Sequence, residues 1–138
     1  MKRILHPFQG LDDIQFGMPM REVQTLTGIA THSLKDNYLQ QEQVTGDRIN
    51  YIFESGVLVT IELLYQNDIW LNDVNVFNTR EMEVLFPGQT IERRRNAMHI
   101  KTLGVILLGF HHQELDRREL WSYSRKMVKE FEGFLDVV

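Results

Sequence analysis

Residues 11–28 read LDDIQFGMPMREVQTLTG, and residues 71–88 read LNDVNVFNTREMEVLFPG. At this constant offset Leu11 meets Leu71, Asp13 meets Asp73, Ile14 meets Val74, Phe16 meets Val76 and Gly28 meets Gly88. The shared grammar is a short alternating strand, a turn, one short helix and a closing glycine. Alternation of Ile14 with Phe16, and of Val74 with Val76, sets a strand period of two. Pro19 suits a first helical turn, where its missing N–H has no partner to lose. Val23 and Leu26 fall on one helical face, and Gly28 stands where a positive φ ends a helix. In the second copy Asn78 suits a cap with Glu81 three residues on. Met82 and Leu85 then face inward, and Pro87-Gly88 stops the helix. Helices this short need a sheet to pack against.

Each helix is followed by strand-like sequence broken by a glycine. Residues 48–54 and 57–65, joined by Ser55-Gly56, spell a hairpin. Val57, Val59, Ile61, Leu63 and Tyr65 make one face of its second strand, with Thr60 and Glu62 on the other. Residues 98–101 and 104–110 repeat the pattern around Leu103-Gly104. Residues 30–46 show no period and read as a long polar loop or a loose helix. From residue 113 to 135, Leu120, Trp121, Ser124, Met127, Val128, Phe131 and Leu135 follow helical spacing. The predicted fold is therefore α+β. Two similar strand-helix-strand-strand units, about 8–66 and 69–138, form a single domain over residues 1–138, and a long C-terminal amphipathic helix covers a sheet.

The chain has 138 residues, 43% hydrophobic and 25% charged, a globular balance. It contains no cysteine, which excludes disulfides, thiolate zinc sites, cysteine nucleophiles and cysteine-linked lipid. That also fits a reducing compartment. After Met1-Lys2-Arg3 the apolar run ends at Leu5, too soon for a signal peptide. The longest apolar run, Val105-Ile106-Leu107-Leu108, suits a buried strand and falls short of a membrane span. A cytoplasmic protein with no membrane role is expected. The net charge of −4 disfavours nonspecific nucleic-acid binding, which needs an excess of Lys and Arg. It suits a basic protein partner.

No phosphate-binding loop, nucleophile elbow or zinc-protease signature is present. His111, His112 and Glu114, joined by His99, are the nearest approach to a metal site, although adjacent strand histidines point to opposite faces. Asp12, Asp13 and Asp73 supply carboxylates, but strand-end Asp residues more often bond local backbone N–H groups. Arg93-Arg94-Arg95 is a basic run without the interleaved aromatics of a nucleic-acid platform. Tyr51, Trp70 and Trp121 read as core aromatics. Asp36, Asn37, Gln40, Gln41, Glu42 and Asp47 cluster along the irregular middle segment and are the candidate contact for a basic partner.

The phrase IQFGMPMREVQTLTG resembles the strand, phenylalanine-glycine-methionine, helix, glycine opening of small bacterial domains. Some of these occur as tandem copies in cytoplasmic proteins and among the immunity proteins of toxin–immunity pairs. A similar phrase opens the small domain of outer-membrane-assembly lipoproteins, which require a lipidated cysteine that this chain lacks. The resemblance implies a binding role and no catalytic residue, cofactor or metal. In its most concrete form it implies an immunity protein occluding a basic toxin domain. A metal-dependent hydrolase built on His99, His111, His112 and Glu114 is the alternative of another class. A third is a homo-oligomer that buries Leu120, Trp121, Val128 and Phe131 of the C-terminal helix against another copy.

Overall fold

The computed structural model describes residues 2–79, 86–110 and 114–137. It opens on β1 (Arg3–His6), a tight hairpin of β2 (Gly10–Leu11) and β3 (Ile14–Gln15), and the helix α1 (Met20–Thr27). Four strands follow: β4 (Ser33–Asp36), β5 (Gln41–Gly46), β6 (Ile49–Glu54) and β7 (Val57–Leu64). The second half begins with a hairpin of β8 (Ile69–Leu71) and β9 (Val74–Asn75). It continues through β10 (Glu92–Arg94), β11 (Ala97–Ile100), β12 (Val105–Leu108) and β13 (Glu119–Tyr123). Single helical turns α2 (Val128–Phe131) and α3 (Phe134–Val137) close the chain.

The strands make two sheets, one ordered β3-β2-β1-β8-β9 and the other β10-β11-β12-β13-β7-β6-β5-β4. The larger sheet reads alike from either edge. Each half supplies a four-strand meander running from an edge to the middle, where β7 and β13 pair antiparallel with Ile61 opposite Ser122. The internal echo is thus present in the backbone. Leu11 pairs with Ile14 in the first hairpin as Leu71 pairs with Val74 in the second. Asp12, Asn72 and Asp73 take positive φ at the two turns, a region that short polar side chains tolerate. Gly28 and Gly88 match as well, at φ 76° and 78°.

The expected strand-helix-strand-strand units are nevertheless overturned. The architecture is mostly β, and each alternating stretch is a hairpin, because Asp12-Asp13 and Asn72-Asp73 reverse the chain where one strand was expected. Residues 80–85, which hold Glu81, Met82 and Leu85 of the second expected helix, lie outside the described residues. In α1 Val23 is buried but Leu26 faces solvent. Residues 30–46 are not a loop; they form β4 and β5.

The long C-terminal helix is also overturned. Residues 119–123 are β13, in the middle of the larger sheet. Leu120 joins the core cluster that draws side chains from both sheets, while Tyr123 and Trp121 join a second cluster on the opposite face. A strand covered on both faces loses its polar alternation, so adjacent Leu120 and Trp121 fit a helical stripe equally well. Phe131 stacks on Tyr123 with ring centroids 4.7 Å apart, and Phe134 meets the Trp121 ring at 5.5 Å. Leu120, Trp121 and Phe131 therefore pack inside this chain, and Val128 is exposed.

A β-bulge opposite Ile52 and Phe53 alters the face expected for β7. Leu58, Ile61 and Leu63 enter the main core, whereas Val59 and Val57 turn to the other cluster. The extra residue shifts the side-chain period by one place.

Candidate protein interface

The β4–β5 hairpin forms one edge of the larger sheet. Ser33 pairs with Gln43 and Leu34 with Glu42, after which the register slips by one before Asp36 meets Gln41. The turn is held by the Asp36 carboxylate, whose Oδ1 accepts the Leu39 N–H at 2.9 Å. Gln40 adopts a positive φ to bring the chain back. Local hydrogen bonding by Asp is what builds such turns, and it leaves Asn37, Tyr38 and Leu39 facing outward. Tyr38 is 94% exposed, Leu39 54% and Leu34 59%. Large apolar side chains grouped at one exposed place mark an interaction surface more than scattered ones do.

A cleft of about 350 Å³ lies beside these residues, lined by Leu34, Asn37, Gln40, Glu42, Phe53, Ser55 and Gly56. Phe53, a buried core residue, also lines it. Among the described residues Glu42 is its one ionisable lining residue, and its carboxylate is 3.9 Å from His32 Nε2. On the other face of the same sheet Lys35 Nζ reaches Glu62 Oε1 at 3.4 Å, and Asn50 Nδ2 donates to that oxygen at 3.3 Å. Gln41 Nε2 donates to Glu54 Oε2 at 2.9 Å.

Of the six residues expected to form a contact, Asp36, Asn37, Gln40, Gln41 and Glu42 are brought together at this end of the hairpin. Asp47 is not. It sits in the β5–β6 turn at positive φ, the length of β5 away, or roughly 20 Å. Spacing along a loop said nothing of a strand that carries its ends apart. Leu34, Tyr38 and Leu39 were missed, and their signal was the presence of apolar residues in a stretch with no period to bury them.

His99 is buried on the face of β11 turned toward Tyr123, and its Nε2 is 2.7 Å from the Tyr123 hydroxyl. Burial lowers its pKa, Lys101 lowers it further and Glu92 opposes them. Burial also pushes the Tyr123 phenol up to about 12. His111 and His112 lie outside the described residues. Glu114 is exposed and paired with Arg117 Nε at 2.7 Å. Among the described residues no three His, Asp or Glu side chains stand close enough to hold a metal.

Asp12 is a structural bracket: Oδ1 accepts the Ile4 N–H at 2.8 Å and Oδ2 accepts Arg3 Nε at 3.0 Å. Arg93 and Arg94 line the exposed edge strand β10, and Arg95 turns it at positive φ. Tyr51 is buried; Trp70 and Trp121 are partly buried, with Lys2 Nζ 4.3 Å above the Trp70 ring. Among the described residues no helix is long and apolar enough to cross a membrane. No family model, curated protein or solved structure matches the chain.

Proposed function

We propose that this chain is a protein-binding module whose contact surface is the tip and outer edge of the β4–β5 hairpin. The observation that carries the reading is Tyr38, almost fully solvated on an ordered turn and flanked by exposed Leu39 and Leu34. Tyr is among the residues that dominate binding energy, because one rigid ring covers much area at little entropic cost. Nothing in the fold requires it there: it has no place in either core cluster.

An immunity protein that covers a toxin's active site is the concrete form of this reading. Its supports are the resemblance of residues 11–28 to the opening of such domains, the net charge of −4 and the acidic and amide side chains around the hairpin. Its site is cytoplasmic, where such a toxin is neutralised. The test is affinity capture from the source cells with the tagged chain and with its Tyr38→Ser/Leu39→Ser variant. One stoichiometric protein should be retained by the first and lost by the second. Equal retention by both, or none by either, sinks the reading.

A further inference from the structure

The two edges of the larger sheet are protected differently. At one edge β10 presents three consecutive charged residues, Glu92, Arg93 and Arg94, all exposed, with Glu92 paired to Lys101 at 3.3 Å and Arg94 to Asp136 at 3.7 Å. Charged side chains on an edge discourage another strand from adding there. At the other edge β4 presents Ser33, Leu34, Lys35 and Asp36. Its single cation is drawn across the sheet, away from the edge, to Glu62 of β7, and the Asp36 carboxylate is turned to the Leu39 N–H. Leu34, just before them, stands more than half exposed. Among the described residues no backbone group pairs with the outer side of β4, so the edge keeps its outward donors and acceptors and carries an apolar residue where β10 carries only charges.

We propose that β4 takes an added strand from a partner protein, an extended segment whose side chains alternate with Lys or Arg, one of them reaching Glu42. This rests on the protein-binding reading and specifies its mode. A new strand lies about 4.8 Å beyond β4, and alternate side chains project to one face. The residue set opposite Leu34 faces the cleft that Leu34, Glu42 and Phe53 line. Glu42 is the cross-strand partner of Leu34, so it lies two strand spacings, about 9.6 Å, from the newcomer. A long cationic stem covers that span to meet a carboxylate, and a short side chain does not. The molecule already contains such a reach, since Lys35 on β4 meets Glu62 on β7 over two intervening strands. Glu42 is the one ionisable lining residue among those described, so its carboxylate, beside His32 at 3.9 Å, makes the cleft select a cation over an anion.

The probe is an octapeptide of alternating lysine and valine, titrated into the isotopically labelled protein and followed by amide NMR. Two further peptides carry N-methyl groups on one or the other alternate set of residues, and a fourth replaces lysine by glutamate. Shifts should centre on residues 33–36 and on Gly56. One N-methylated peptide should lose binding, since only one set of N–H groups faces β4. The glutamate peptide, and the lysine peptide against Glu42→Gln, should each bind about tenfold more weakly. The proposal is overturned by no shift at millimolar peptide, by shifts centred elsewhere, or by undiminished binding of both methylated peptides. It is overturned too if residues 33–36 shift on concentrating the protein alone, for then a second copy is the occupant. Capture that depends on Tyr38 and Leu39, with a negative peptide result, leaves the binding reading standing and removes strand addition alone.

Discussion

Tyr123→Phe deletes one oxygen from beneath the C-terminal turns and leaves the ring contacts in place, including the stack on Phe131 and the edge contact with Phe8. That oxygen lies 2.7 Å from His99 Nε2. Because His99 Nδ1 has no hydrogen-bond partner among the described residues, the variant strands a buried imidazole with neither nitrogen bonded. Leaving a buried polar group unsatisfied costs about 1–3 kcal/mol. With a urea slope of about 2 kcal/mol/M, a loss of about 2 kcal/mol lowers the unfolding midpoint by about 1 M. Equilibrium unfolding in urea at about pH 7.5, followed by tryptophan fluorescence, reads this directly. His99→Leu in the same background should recover part of the loss, since both partners are then apolar. A Tyr123→Phe midpoint within about 0.2 M of wild type refutes the reasoning.

The same pair sets a pH dependence. Burial depresses the folded pKa of His99, so the unfolded chain takes up this proton first, near pH 6.5. Between that value and the lower folded pKa the unfolded state holds more protons, and stability falls as pH falls. Above about pH 6.5 the contribution is complete. Wild type should lose stability from pH 7 to 5 more steeply than His99→Leu, by the same urea assay; parallel profiles would contradict the assignment.

Leu120→Ala removes a fully buried side chain from the middle of the larger sheet and should cost about 2–5 kcal/mol in urea unfolding; a near-zero cost would show that residues 119–123 are not a central strand. Two glycine substitutions should separate strain from collision in thermal melts. Gly28→Ala, at φ 76° with open space around the new carbon, should cost only about 1–2 kcal/mol. At Gly10 the added carbon would lie 2.0 Å from the Ile14 carbonyl oxygen, so Gly10→Ala should unfold the hairpin or fail to accumulate as folded protein. Equal melting points for the two would overturn the close approach at Gly10.

The candidate interface was half legible. Asp36, Asn37, Gln40, Gln41 and Glu42 are singled out by polarity, a local property, and the hairpin brings them together. The apolar members Leu34, Tyr38 and Leu39 were not, because an apolar residue outside any period carries no mark of whether a tertiary neighbour covers it. Asp47 stands apart from the other five because sequence distance ignores the extended rise of β5 that carries it to the opposite end.

Some features were determined by the sequence alone. They are the helix-closing Gly28, the Ser55-Gly56 reversal and the echo at constant offset, whose Leu11–Ile14 and Leu71–Val74 pairs became two matched hairpins. Each depends on the φ and ψ preferences of adjacent residues or on a repeat visible without a fold. Tertiary structure alone decided that residues 119–123 are a strand, that β7 and β13 meet at the centre, and that residues 30–46 complete the sheet edge. A strand buried on both faces shows no alternation, and a pairing partner some sixty residues away, as Ile61 is from Ser122, leaves no trace in local preference. Those choices come from long-range pairing and burial, which override the propensities of short segments.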